Sequence, residues 1–139
     1  MKNRDDKYMA MAEIWSTNSY AVRAKVGALI VKDSSIIADG FNGTPSGFDN
    51  CCEEMVDGEL VTKKCVLHAE ANAITKLAKS TQSSVGATLY VTMCPCMECS
   101  KLIVQAGIRR VVYGKAYRDL SGVNLLKEAG IEVVQYGEE

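Results

Sequence analysis

His68, the one histidine in 139 residues, opens the stretch HAEANAI, and Glu70 follows it two positions later. Further along, CPCMEC gathers Cys94, Cys96 and Cys99, with Pro95 ahead of the Cys-x-x-Cys pair. Two thiolates three positions apart on the first turn of a helix point to one side. The free N–H groups and the positive dipole end there lower thiol pKa values and favour anions. An imidazole from the start of a second helix would complete a His-Cys-Cys donor set suited to zinc. Three ligands leave the fourth position of a tetrahedral zinc open to water, whose pKa falls from about 16 to about 7 in such sites. Glu70, beside the metal but not bound to it, would take the proton from that water and return it to a substrate.

Two plainer chemistries compete. Cys65 precedes His68 by three residues, so CVLH with CMEC can be read as a closed four-ligand structural zinc site. That reading gives Glu70 no task, and an α/β domain of this length has no need of a metal to fold. A redox Cys-x-x-Cys pair would leave His68 incidental.

The rest of the chain limits what such a site can serve. The net charge is −1, with 47% hydrophobic and 24% charged residues, the balance of one globular domain spanning 1–139. This charge provides no basic field for nucleic acid, so a small substrate is expected. The N-terminus MKNRDDKYMA lacks the apolar centre of a signal peptide, and no apolar run approaches membrane-spanning length. A cytoplasmic protein with no membrane partner is expected, and its six cysteines are then read as reduced.

The elements that must position the site follow from periodicity. Tyr8, Met11, Ala12 and Trp15 recur at helical steps and predict an amphipathic helix over 5–17. VGALIV and SSIIADG, separated by KDS, predict an antiparallel hairpin. From Phe41 to about Lys64 the chain is rich in Gly, Asn, Asp and Ser, and a long binding loop is expected. Helices over 68–79, 96–106 and 120–129 then alternate with strands over 87–92, 109–114 and 131–136. Gly107 and Gly130 stand where helices should stop. The alternation predicts parallel strands joined to the hairpin, an α/β three-layer α/β/α sandwich around a mixed five-stranded sheet.

With HAEANAI and PCMECSKLIVQAGIRRVVY in place, together with VGALIV, GFNGTPSG and ATLYVT in order, the chain resembles the cytidine deaminase-like superfamily. Within it, GFNGTPSG is similar to the deoxycytidylate (dCMP) deaminases of phages and bacteria. The resemblance implies that His68, Cys96 and Cys99 bind one catalytic Zn2+ and that Glu70 is the catalytic proton carrier. Water activated by the zinc would attack C4 of the cytosine while Glu70 protonates N3. Glu70 would then protonate the departing 4-amino group, giving dUMP, the precursor for thymidylate synthesis, and ammonia.

The resemblance further implies that Asn42 holds the sugar and that Ala69 and the peptide around Gly27 and Ala28 contact the base. It places Tyr117 against the nucleotide. Arg23, Lys25, Lys115 and Arg118 are all candidates for the 5′-phosphate. Some relatives are homohexamers activated by dCTP and inhibited by dTTP with a divalent cation such as Mg2+, which makes Gly40, Asn42 and Gly43 candidate allosteric positions. Simple turn chemistry is the other explanation of those glycines. A second zinc, held by Cys and His in the long loop of some relatives, is not expected, because Cys51 and Cys52 have no histidine there. Cys94 is expected to pack as a small hydrophobe. The rival functions are a deaminase of cytidine, guanine or tRNA adenosine, and a zinc-stabilised interaction module.

Overall fold

The computed structural model describes residues 4–116 and 119–137. Its main sheet has the order β2-β1-β5-β6-β7, formed by Ser35–Phe41 (β2), Gly27–Lys32 (β1), Thr88–Met93 (β5), Arg110–Lys115 (β6) and Glu132–Gln135 (β7). β1 runs antiparallel to β2 and β5, whereas β5, β6 and β7 are parallel, so the sheet is mixed as the sequence predicts. The hairpin turns through Asp33 and Ser34, both at positive φ of 51° and 65°, the conformation that two-residue hairpins require.

Strand alternation sorts the core into two layers. Ala28, Ile30, Leu89, Val91 and Val111 face one side, against Ala69 and Ala73 of α2 (Ala69–Leu77), Ile103 of α3 (Met97–Gln105) and Val123 and Leu126 of α4 (Ser121–Glu128). Leu29, Val31, Tyr90 and Val112 face the other side, against Tyr8, Met9 and Ala12 of α1 (Asp5–Ser16). Helices therefore cover both faces of the sheet. Gly107 and Gly130, at φ of 78° and 85°, follow the ends of α3 and α4 in the left-handed conformation that closes a helix.

Two expectations need correction. The buried stripe of α1 is Tyr8, Met9, Ala12 and Ser16, whereas Met11 and Trp15 are 42% and 39% exposed. The small residues Ala12 and Ser16 take the inner face where Gly27 of β1 passes directly beneath it. A Cβ on Gly27 would overlap the Ala12 carbonyl and lie 2.8 Å from the Ser16 nitrogen. Trp15 turns outward and donates from Nε1 to Asp39 Oδ1 at 3.0 Å. The stretch 41–64 is also not a plain loop, because it folds a second hairpin of Glu53–Val56 (β3) and Glu59–Thr62 (β4). Its turn is Asp57-Gly58, with both residues at positive φ.

The start of α1 is tied to the sheet by a half-buried ion pair. Arg110 donates from Nη2 and Nη1 to the Asp5 carboxylate at 2.6 and 2.9 Å, and the Tyr90 hydroxyl donates to the same carboxylate at 2.7 Å. Both charged side chains are only 14% exposed, so removing one partner is expected to be costly. Arg110→Ala should lower unfolding stability by about 3 kcal/mol in urea titrations. A loss under about 1 kcal/mol would show that solvent screens the pair.

Candidate metal and catalytic site

β5 leads through Cys94-Pro95-Cys96 into α3, and the segment before α2 ends at His68, so two helix N-termini converge beside the sheet. His68 and Cys96 are the N-cap residues of α2 and α3, both with extended backbone. Extended caps turn their side chains back over the first helical turn, and here they meet. His68 Nδ1 lies 3.5 Å from Cys96 Sγ and 3.3 Å from Cys99 Sγ, and the Cys99 N–H is 3.5 Å from Cys96 Sγ. Ligands about 2.0 to 2.3 Å from a tetrahedral zinc stand roughly 3.3 to 3.8 Å apart, so the donor set fits that ion in type and spacing.

The electrostatics agree with that fit. Hydrogen bonds with Cys99 and His68 hold the Cys96 thiol down to about 3. The bond to Cys96 and burial push Cys99 upward, and the bond to Cys96 raises His68. The three groups share protons that a dication would displace. Among the described residues the metal-ligand group is His68, Cys96 and Cys99, and exposed Cys65 is outside it. The closed CVLH–CMEC reading therefore loses its fourth ligand.

Glu70 sits on the first turn of α2 and is 4% exposed. Burial pushes its carboxyl up to about 7, against the lowering effects of its own backbone N–H and of His68. It lines, with His68, Ala69, Cys94 and Cys96, a cleft of about 400 Å3. A carboxyl that exchanges a proton near neutrality, next to a three-ligand metal site, is equipped for general acid and base work.

Ala21, Arg23, Ala24 and Val26 of the segment 21–26 also line the cleft. Asn42 Oδ1 accepts the Val26 N–H at 2.9 Å and its Nδ2 donates to the Ala24 carbonyl at 2.8 Å, leaving one donor and one acceptor site on the amide. Arg23 lines the cleft and its Nη1 donates to Thr62 Oγ1 at 3.4 Å. Lys25 and Lys115 are exposed and lie outside the lining, as do the buried Gly27 and Ala28, and Val26 is the lining residue at that strand's entry. Tyr117 and Arg118 fall outside the described residues.

Of the two glycines of GFNG, Gly40 has a packing task. A Cβ on Gly40 would stand 2.5 Å from the Ala69 carbonyl and 2.7 Å from the Ala73 nitrogen, so α2 rests directly on β2. Gly43 exchanges backbone hydrogen bonds of 3.0 and 2.8 Å with Leu67, which fixes the residue just before His68. Cys94 is 5% exposed within the core, as a small hydrophobe would be.

The cleft residues that sequence reasoning missed are Ala21, Ala24, Val26, Glu53, Thr62, Val66 and Met93. Glu53 and Thr62 come from the unexpected β3–β4 hairpin, where they are register partners. Asp57-Gly58 was the one local signal for that hairpin. Nothing local marks Glu53, whose partners are backbone groups some 30 positions away.

Residues 2–115 match the cytidine and deoxycytidylate deaminase zinc-binding region. The deoxycytidylate deaminase of Saccharomyces cerevisiae is 40% identical over 140 residues, covering 95% of this chain and 44% of that protein. The chain thus spans less than half the length of this yeast relative. The deoxycytidylate deaminase of Enterobacteria phage T4 is 34% identical over 165 residues, covering 90% of this chain and 86% of its own. A crystal structure of dCMP deaminase from the cyanophage S-TIM5, in complex with dCMP and dUMP, superimposes with a TM-score of 0.90 at 48% identity and covers 97% of this chain and 98% of that one.

Proposed function

The chain belongs to the cytidine and deoxycytidylate deaminases, and from that premise we propose that residues 1–139 form one zinc-dependent domain that hydrolyses dCMP to dUMP and ammonia. The observation that carries this reading is the convergence of His68, Cys96 and Cys99 beside buried Glu70 at a nucleotide-sized cleft. The similarity to the cyanophage enzyme in complex with dCMP and dUMP supports the choice of substrate.

A zinc ion held by His68, Cys96 and Cys99 supplies, when bound, the acidity that makes water a nucleophile near neutral pH. The protein does the rest. Glu70 takes the water proton and delivers it to N3 of the cytosine as the oxygen adds to C4. The second proton from that oxygen passes through Glu70 to the 4-amino nitrogen, the C4–N bond breaks, and ammonia leaves. The buried position of Glu70 keeps bulk water from competing for these protons. The Ala69 N–H, at the first turn of α2, is a donor for the base. Asn42 retains a donor and an acceptor for the sugar, and Arg23 is the cleft cation for the phosphate. Tyr117, Lys25, Lys115 and Arg118 remain candidates for contacts to the nucleotide.

No helix among the described residues is long and apolar enough to cross a membrane, and we place the enzyme in the cytoplasm. Regulation by dCTP and by dTTP with Mg2+, in a homohexamer, belongs to the same proposal, with Gly40, Asn42 and Gly43 at the effector contacts. The test is ammonia release from zinc-loaded protein with dCMP, cytidine, deoxycytidine and dCTP, each with and without dCTP or dTTP and magnesium. The expected result is a kcat/KM for dCMP at least about tenfold above that for deoxycytidine, since a charged phosphate contact contributes about 1.5 to 3 kcal/mol. Equal rates on deoxycytidine and dCMP would overturn the substrate assignment. A rate that effectors leave unchanged would overturn the regulation.

A further inference from the structure

Glu53 is 6% exposed and its side chain lines the cleft. Its Oε2 accepts the N–H groups of Val22 and Arg23 at 2.8 and 3.1 Å. No hydrogen bond reaches Oε1, and no cationic side chain pairs with the carboxylate among the described residues, because the nearby Arg23 guanidinium is turned to Thr62. A buried carboxylate is costly unless its lone pairs are met by donors. One oxygen of this one is met by the backbone, and the other is left for whatever fills the cleft.

We propose that Glu53 binds the 3′-hydroxyl of the substrate's deoxyribose, an inference that rests on the dCMP reading. An ionised carboxylate accepts hydrogen bonds and donates none. A deoxycytidine nucleotide offers two donors, the 4-amino group of the base and the 3′-hydroxyl of the sugar. The amino group must lie beside Glu70 and the His68–Cys96–Cys99 cluster, where the reaction occurs, which leaves the hydroxyl. The 5′-phosphate, an anion with no proton to donate, is no partner for the carboxylate. The backbone of 22–26 frames the same region, held by Glu53 at one end and by Asn42 at the other. Glu53 thus both anchors that wall and presents its free oxygen from it.

The test compares kcat/KM for dCMP and for 2′,3′-dideoxycytidine 5′-monophosphate in the wild type, Glu53→Gln and Glu53→Ala. The wild type is expected to prefer dCMP by about 10- to 100-fold, the range of a hydrogen bond to a charged group. In both variants the preference should fall below about threefold, with the larger loss on dCMP. A preference kept in both variants would mean that Glu53 only holds the loop, and would overturn the proposal. Should the alanine variant not fold, the near-isosteric glutamine variant decides the question alone. A wild type that deaminates both nucleotides equally well also overturns the assignment of Glu53 but leaves dCMP deamination standing. A wild type inactive on dCMP removes the dCMP reading itself.

Discussion

Glu70→Gln should lower kcat on dCMP by about a hundred- to ten-thousand-fold while the protein keeps its zinc and its fold. The amide copies the shape of the acid and keeps one acceptor oxygen, but it cannot carry a proton between water, N3 and the 4-amino group. Its effect on stability has the opposite sign. The folded-state carboxyl is raised to about 7 by burial, above its unfolded value. The folded state therefore holds the proton more tightly, and the advantage of the protonated carboxyl is lost as pH rises through about 7. A neutral amide avoids that loss, so with the zinc removed by chelator the variant should melt at or above the equally stripped wild type at pH 8. Zinc content, melting temperature and ammonia release measured on one preparation separate the possibilities. Loss of zinc would make Glu70 a ligand instead of a proton carrier, and retained turnover would place the proton relay elsewhere.

The His68–Glu70 and Cys96–Cys99 pairs were legible because their information is local. His68 and Glu70 share one helix start, and Cys96 and Cys99 share another, so spacing alone fixes each pair on a first turn. That the two starts meet was legible only through the alternation of strands and helices, which brings α2 and α3 to the same face of the sheet. The phase of α1 was misread because Met11 and Trp15 look like core residues by hydropathy. The actual choice is made by Gly27, which admits only small residues such as Ala12 and Ser16 above it. Glu53 was invisible for a related reason. An acid in a polar stretch reads as surface until Val22 and Arg23 are seen to point their N–H groups at it.

Gly122 carries the other large expected effect, and it lies outside the sequence motif altogether. It stands on the first turn of α4, where an added Cβ would be 2.5 Å from the Pro95 carbonyl oxygen and 2.7 Å from both the carbonyl carbon and the oxygen of Cys96. These are backbone atoms of the metal motif and cannot swing aside as a flexible side chain would. The Cys96 carbonyl also accepts the Ser100 N–H at 2.9 Å, so pushing it disturbs both the His68–Cys96–Cys99 donor set and the first turn of α3. Propensity alone makes the opposite forecast, because alanine in place of a helical glycine adds about 1 kcal/mol to helix stability. If the contact dominates, Gly122→Ala should weaken zinc binding by about 10- to 100-fold in chelator competition, the range found when the supports of metal ligands are altered. It should also shift the visible absorption of the cobalt-substituted protein, since the Cys96 sulfur would move relative to Cys99 and His68. Should zinc affinity and the cobalt spectrum match the wild type, α4 must be able to slide off the Cys96 backbone, and the alanine variant would then melt higher than the wild type.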